Sequence, residues 1–107
     1  MIYKFKSKAA GDVIMMGPAG DDVLRVIGKS PGVTGIIEVA AMPAAIAALE
    51  QAIAADEAAR AQAEKEAAAE GTKLGARDGV TLRQRAWPLV EMMKRSIGEK
   101  ADVVWGV

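Results

Sequence analysis

Glu50, Glu57 and Glu64 recur every seven residues, so a helix carrying them shows all three on one face. Carboxylates in such a row can move a proton or hold a cation. Arg60 stands between the last two, with Asp56 four residues before it. That is the spacing of a solvated ion-pair ladder. A di-metal carboxylate bundle needs Glu-x-x-His, and the chain has no His.

Gly28-Lys29-Ser30 has the ending of a phosphate-binding loop. The full pattern requires a glycine where Val23 stands, a strand before and a helix after. Here a helical pattern precedes and Pro31 follows, so a helix end and a turn are expected. Gly17-Pro18-Ala19-Gly20 leads into a helix start whose backbone N–H groups can bind an anion. Gly17, Gly20, Asp21 and Asp22 are therefore the candidate ligand-binding residues. Against that role, Asp21 and Asp22 bring negative charge to the same place, where they would cap the helix.

Lys4, Lys6 and Lys8 alternate along one face of a strand. With Arg83, Arg85, Lys94 and Arg95 they offer a weak nucleic-acid surface. No aromatic residue is interleaved to stack bases, and lysines also protect exposed strands from edge pairing. Ser7, Ser30 and Ser96 are the only serines, and neither His nor Cys occurs. That excludes disulfides, Cys/His zinc sites, haem ligation, cysteine nucleophiles and histidine triads. No cofactor and no metal site are expected, nor is an enzyme.

The elements that position these residues belong to a single domain of 107 residues, with 14 basic and 14 acidic side chains. Exact charge balance argues against a dedicated nucleic-acid binder. Tyr3 and Phe5 alternate with Lys4 and Lys6, a strand pattern. Val13 to Met16 reads as a second strand buried on both faces, forming an antiparallel hairpin with the first. A short helix from Asp22 to Ile27, capped by Gly20 or Asp21, ends at Gly28. Thr34 to Val39 reads as a third strand, and strand–helix–strand there allows a right-handed crossover.

Pro43 opens a long helix to Glu70. Met42, Ile46, Leu49 and Ile53 make its apolar stripe, with Ala45, Ala48, Ala52, Ala55 and Ala59 beside it. After Ile53 the large apolar residues stop, so the distal half must project, pair or fray. Gly71 to Gly79 reads as a flexible loop. Thr81 and Gln84 have capping-box spacing for a third helix, with Leu82, Ala86, Leu89, Val90, Met93 and Ile97 on its apolar face. Pro88 should kink it and Gly98 close it. Asp102 to Val107 reads as a final strand.

Residues 38 to 70 carry seven acids and two bases, a net of minus five, and residues 71 to 100 seven bases and three acids, a net of plus four. The two helices are therefore expected to pair as an antiparallel hairpin with complementary sides. Met15, Met16, Met42, Met92 and Met93 are expected to fill the core. Trp87 and Trp105 should pack with their indole N–H groups on a carbonyl, and Trp105, if partly exposed, would be an interaction anchor. Ala52, Ala55 and Ala59 are the other interaction candidates, since small residues let two helices approach closely.

The charged, alternating start holds no signal-peptide core, and the longest uncharged run, Val39 to Leu49, is too short to span a bilayer. A cytoplasmic location without membrane contact is expected.

Two blocks carry a family resemblance. One is Met1-Ile-Tyr-Lys-Phe-Lys-Ser-Lys-Ala-Ala-Gly-Asp-Val-Ile-Met-Met-Gly-Pro-Ala-Gly20, running on through Gly35-Ile-Ile-Glu38 to Met42-Pro-Ala-Ala-Ile46. The other is Arg85-Ala-Trp-Pro-Leu-Val-Glu-Met-Met93 with Val103-Val-Trp-Gly106. They resemble a family of small bacterial proteins classed as a domain of unknown function. The resemblance implies a bacterial cytoplasmic protein and no catalytic residue.

The expected architecture is α+β, in the order β-β-α-β-α-α-β. A small sheet of about four strands packs on a long-helix hairpin, and residues 56–79 form its nondescript part. The expected function is a non-enzymatic protein-interaction or structural module, binding a protein partner or a second copy of itself. The alternatives are a ligand- or anion-binding domain at Gly17–Asp22 and weak nucleic-acid binding through Lys4, Lys6 and Lys8.

Overall fold

Alternation at the start of the chain becomes a hairpin. In the computed structural model, which describes residues 2–71 and 81–106, strand β1 (Ile2–Ser7) pairs antiparallel with β2 (Ala10–Met16), with a bulge between Phe5 and Ser7. Helix α1 (Gly17–Val26), β3 (Gly35–Ile37), a short 3₁₀ turn (Val39–Ala41), α2 (Met42–Ala69), α3 (Leu82–Glu99) and β4 (Val103–Trp105) follow. The fold is α+β, in the expected order. The sheet runs β2-β1-β4-β3 with every neighbouring pair antiparallel.

That order corrects two expectations. The strands β2 and β3 stand at opposite edges, so no crossover joins parallel neighbours; β1 and β4 occupy the centre between them. Nor is β2 buried on both faces. Met15 is buried and Val13 packs against the core, while Ile14 and Met16 are exposed. Among the described residues, the three helices cover one face of the sheet. Tyr3, Phe5, Met15, Ile37, Val103 and Trp105 point into that layer. There they meet Val23 and Leu24 of α1, the Met42–Ile53 stripe of α2, and Ala86, Leu89, Val90, Met92 and Met93 of α3. Four of the five methionines fill the core as expected; Met16 does not.

Several boundaries differ from the sequence reading for local reasons. Helix α1 begins at Gly17 directly after β2, with Met16 at its N-cap, no side-chain cap and a proline in its first turn. Pro18 loses nothing there, since its missing N–H has no helical partner anyway. Gly28, at φ +82°, closes α1 as expected, with Lys29 N–H on the Leu24 carbonyl at 2.8 Å. Strand β3 stops at Ile37 because the Val39 N–H goes to the Asp102 carboxylate at 3.0 Å.

At α3, Thr81 and Gln84 form the capping box: Thr81 Oγ1 accepts from Gln84 N–H at 3.2 Å, and Gln84 Oε1 accepts from Thr81 N–H at 2.9 Å. The helix continues through Pro88 and past Gly98 to Glu99. Lys100, left-handed at φ 55°, makes the closing turn instead, with Ala101 N–H on the Ser96 carbonyl at 2.9 Å.

The acidic and basic helices form the expected antiparallel hairpin. Arg83 donates to both oxygens of Glu57, at 2.8 and 3.2 Å, and Lys94 lies 3.9 Å from Glu50. Two members of the seven-residue glutamate row therefore face bases on α3. Trp87 lies between those bases, with Arg83 5.4 Å and Lys94 5.1 Å from its ring centre. The Arg83 fork holds the Glu57 carboxyl below its ordinary pKa, and hydrogen bonding to Glu57 raises that of Arg83. Both side chains are about half exposed, so the pair sets register more than stability. Asp56 and Arg60 pair at 2.9 Å along the helix.

Beyond Ile53 the sheltered row of α2 is Asp56, Arg60, Ala63 and Ala67, while Ala55 and Ala59 are exposed. Twenty-eight helical residues span about 42 Å against about 27 Å for the eighteen of α3. The expected Gly-rich loop lies, after Gly71, outside the described residues. By length and composition, 39–69 contains a window apolar enough to cross a membrane; here its large apolar residues are in the core.

Candidate functional site

Period-two alternation sends one set of strand side chains to the helices and the other set to the opposite side of the sheet. No described helix covers that second side. It carries Ile2 and Lys4 and Lys6 of β1, Ile14 and Met16 of β2, Val104 of β4 and Ile36 of β3. Ile2, Ile14 and Met16 are 60%, 64% and 65% exposed and Ile36 39%.

Register orders these groups into rows across the sheet. Met16 stands beside Ile2, and Ile14 beside Lys4. Lys6, Val104 and Ile36 form another row. Lys4 reaches Asp12 at 3.5 Å. Where Gly106 leaves no side chain, a hollow of about 340 Å³ opens between Ile2, Lys4, Lys6 and Val33. Gly106 has φ +76°, and a Cβ there would sit 1.9 Å from the Val33 carbonyl oxygen, so only glycine fits. Beyond the β1 end of the sheet, Lys6, Lys8, Glu99, Lys100 and Asp102 border a wider cleft of about 670 Å³.

The Gly17–Asp22 segment is not a loop before a helix but the opening of α1 itself. Gly17 and Gly20 are buried. Asp21 does not cap; its carboxylate accepts a hydrogen bond from the Tyr3 hydroxyl. Asp22 lies 3.5 Å from Arg25 at the surface. A Cβ on Gly20 would meet the Tyr3 ring at 2.1 Å, so the glycine is where β1 and α1 touch. Alanine is ordinarily better than glycine inside a helix by about 1 kcal/mol. Here the buried ring cannot swing away, so Gly20→Ala is expected to destabilise by about 1–3 kcal/mol. A raised urea midpoint would refute that contact.

Hydrogen bonding to Asp21 and then burial raise the Tyr3 pKa above its usual value of 10.0. The unfolded chain therefore releases this proton first as pH rises. The stabilisation is complete below about pH 10 and is lost as pH climbs through the raised folded value. Tyr3→Phe should remove that alkaline decline; the difference between the two stability–pH curves isolates it from lysine titration.

Ser96 is buried and donates to the Met92 carbonyl at 2.7 Å. Its one proton is thereby used, so Ser7 donates to Ser96 Oγ at 2.7 Å and itself accepts from Ala9 N–H at 3.2 Å. These hydroxyls lock β1 to α3. No group of three or more potential metal ligands occurs among the described residues.

Trp105 corrects the anchor expectation. It is 3% exposed, its ring meets Phe5 edge-on at 5.6 Å, and its indole N–H donates to the Gly32 carbonyl at 3.0 Å. Of the interaction candidates on α2, Ala52 is half-buried and Ala55 and Ala59 are exposed. The unbroken apolar run of β2 hides the open sheet face in the sequence; the exposure of Ile2, Ile14, Met16 and Ile36 depends on which side the helices occupy.

The family model for a domain of unknown function, DUF1840, matches residues 1–105. The chain belongs to the DUF1840 family. No curated protein and no solved structure matches it. The match spans both the helical layer and the open face, so both are parts of one DUF1840 domain.

Proposed function

We propose that this chain is a non-enzymatic protein-interaction module of the bacterial cytoplasm, and that the open face of its sheet is the surface it presents. One observation carries the reading. Three large apolar side chains, Ile2, Ile14 and Met16, stand exposed side by side on the open face of the sheet at its β1–β2 side, with Ile36 exposed at the opposite edge, while the other face of the sheet is packed by helices. Contiguous exposed patches of this kind mark interaction sites, whereas scattered single residues do not. The chemistry of the remaining groups agrees. The Ser7 and Ser96 hydroxyls and the Tyr3–Asp21 pair are spent on joining strands to helices. Lys4 is already beside Asp12, and no ring lies on the open face to stack a base, so nucleic acid is a poorer occupant.

The test uses tagged wild-type protein as bait in its native cytoplasm beside an Ile14→Lys/Met16→Lys bait. Both sites are exposed, so the variant should keep its helical signal and thermal transition yet lose the captured protein. Equal capture by both baits, with loss instead from Ala55→Glu/Ala59→Glu, would move the interaction to α2 and sink the sheet-face reading.

A further inference from the structure

We propose that Met16 is an oxidation site of the folded protein: a hydroperoxide converts its thioether to the sulfoxide, spares the methionines of the core, and so makes the open sheet face polar. The effect on binding rests on the interaction reading above; the chemistry at Met16 does not.

The chain has no cysteine, so its thioethers are its softest nucleophiles. Among the described residues they fall into two groups. Met15, Met42, Met92 and Met93 are each at most 5% exposed, whereas Met16 is 65% exposed. A peroxide reaches the first four only when the core opens locally. It meets Met16 at the surface, at the end of the edge strand β2, beside Ile2 by register and on the same face as Ile14.

The step needs only the peroxide. A lone pair on the Met16 sulfur attacks one peroxide oxygen; the S–O bond forms as the O–O bond breaks. The second oxygen leaves with the bonding pair and takes up the proton of the first, as water or an alcohol. The sulfur is oxidised by two electrons and the peroxide is reduced by two.

The consequence depends on place. Oxidation turns an apolar side chain into a polar one. At Met42, Met92 or Met93 it would set an unpartnered oxygen in the packed core. At Met16 the backbone is held by β2 pairing on one side and by α1 on the other, and the new oxygen stays in water. The fold is kept while one of three adjacent apolar groups becomes a strong acceptor. A partner that covers the patch must then bury that acceptor, which weakens binding. Methionine sulfoxide reductases reverse the change.

Hydrogen peroxide is the probe, and peptide mass spectrometry with fragmentation separates Met16 from Met15. Folded wild type should gain oxygen at Met16 at least about tenfold faster than at Met15, Met42, Met92 or Met93, and in urea the five rates should converge. The selectively oxidised protein should keep its circular dichroism and thermal transition, elute earlier from a hydrophobic-interaction column, and return to its first position after reductase treatment. Used as bait, it should hold the captured protein at least about fivefold more weakly. Met16→Leu, treated alike, should change in neither retention nor capture, which separates Met16 from Met1.

Equal oxidation rates in the folded chain overturn the site, and an equal retention shift in Met16→Leu does so too. Selective oxidation that leaves retention and capture unchanged overturns its control of the face. Failure of the interaction reading alone looks different: Met16 is oxidised selectively and retention shifts, but the Ile14→Lys/Met16→Lys bait captures as well as wild type, which leaves the oxidation site standing.

Discussion

Trp105→Ala is expected to destabilise the protein by about 3–5 kcal/mol, the range for removing a buried large aromatic side chain. The ring does three things at once. It meets Phe5 of β1 edge-on, and its indole N–H satisfies the Gly32 carbonyl. It also fills the space that Gly35 leaves on β3, where a Cβ would come within 2.1 Å of the ring. Removing it leaves a cavity between three strands and a carbonyl without its donor. Strand β4 has only three residues, too few to hold its place by backbone pairing alone. The loss should therefore appear both in the urea midpoint and in rapid amide exchange of β3 and β4. A change below about 1 kcal/mol, the size expected at a solvated surface site, would show that Trp105 is an exposed anchor and not a core residue.

Leu89→Ala is expected to cost about 2–5 kcal/mol. Leu89 is fully buried on α3, in the same cluster as Ile46 on α2 and Phe5 on β1. Ile46→Ala, from the facing helix, should lose a comparable amount. Glu64→Ala, on the exposed side of α2, should stay within about 0.5 kcal/mol. For a domain near this size each kcal/mol moves the thermal midpoint by about 4–8 °C, so the core and surface variants should separate clearly in one melting series. Equal losses at Leu89 and Glu64 would show that the buried faces of the two helices are wrongly placed.

The apolar stripe Met42, Ile46, Leu49 and Ile53 predicts which side of α2 is buried because 3.6-residue periodicity is local. The Thr81–Gln84 capping box is legible for the same reason, since its four backbone and side-chain partners lie within four residues. The charge halves of the chain predict the α2–α3 hairpin, since two long, oppositely charged helices consecutive in the chain have complementary sides to pair. Beyond Ile53 that locality runs out. An Ala-rich helix has no large residue to mark its buried face, and shelter follows Asp56, Arg60, Ala63 and Ala67 instead of Ala55 and Ala59. The closing residue of α3 is hidden in the sequence for a similar reason. Gly98 has the right type, but Lys100 stands where the chain must turn toward β4, and it takes the left-handed conformation despite its side chain.

By itself, then, the sequence determined the element order, the helix faces rich in large apolar residues and the hairpin's charge register. It also excluded every histidine- or cysteine-based chemistry. Each of these depends on residue type or on neighbours within one or two turns. The tertiary structure alone decided the rest. It placed β4 between β1 and β3, making Trp105 a core residue. It turned Gly20 and Asp21 from a suspected anion site into the contact that receives the Tyr3 ring and hydroxyl. It put all three helices on one side of the sheet, leaving Ile2, Ile14, Met16 and Ile36 exposed. Strand order and the side that helices take are set by contacts between residues as far apart as β1 and β4, and no local pattern encodes such pairings.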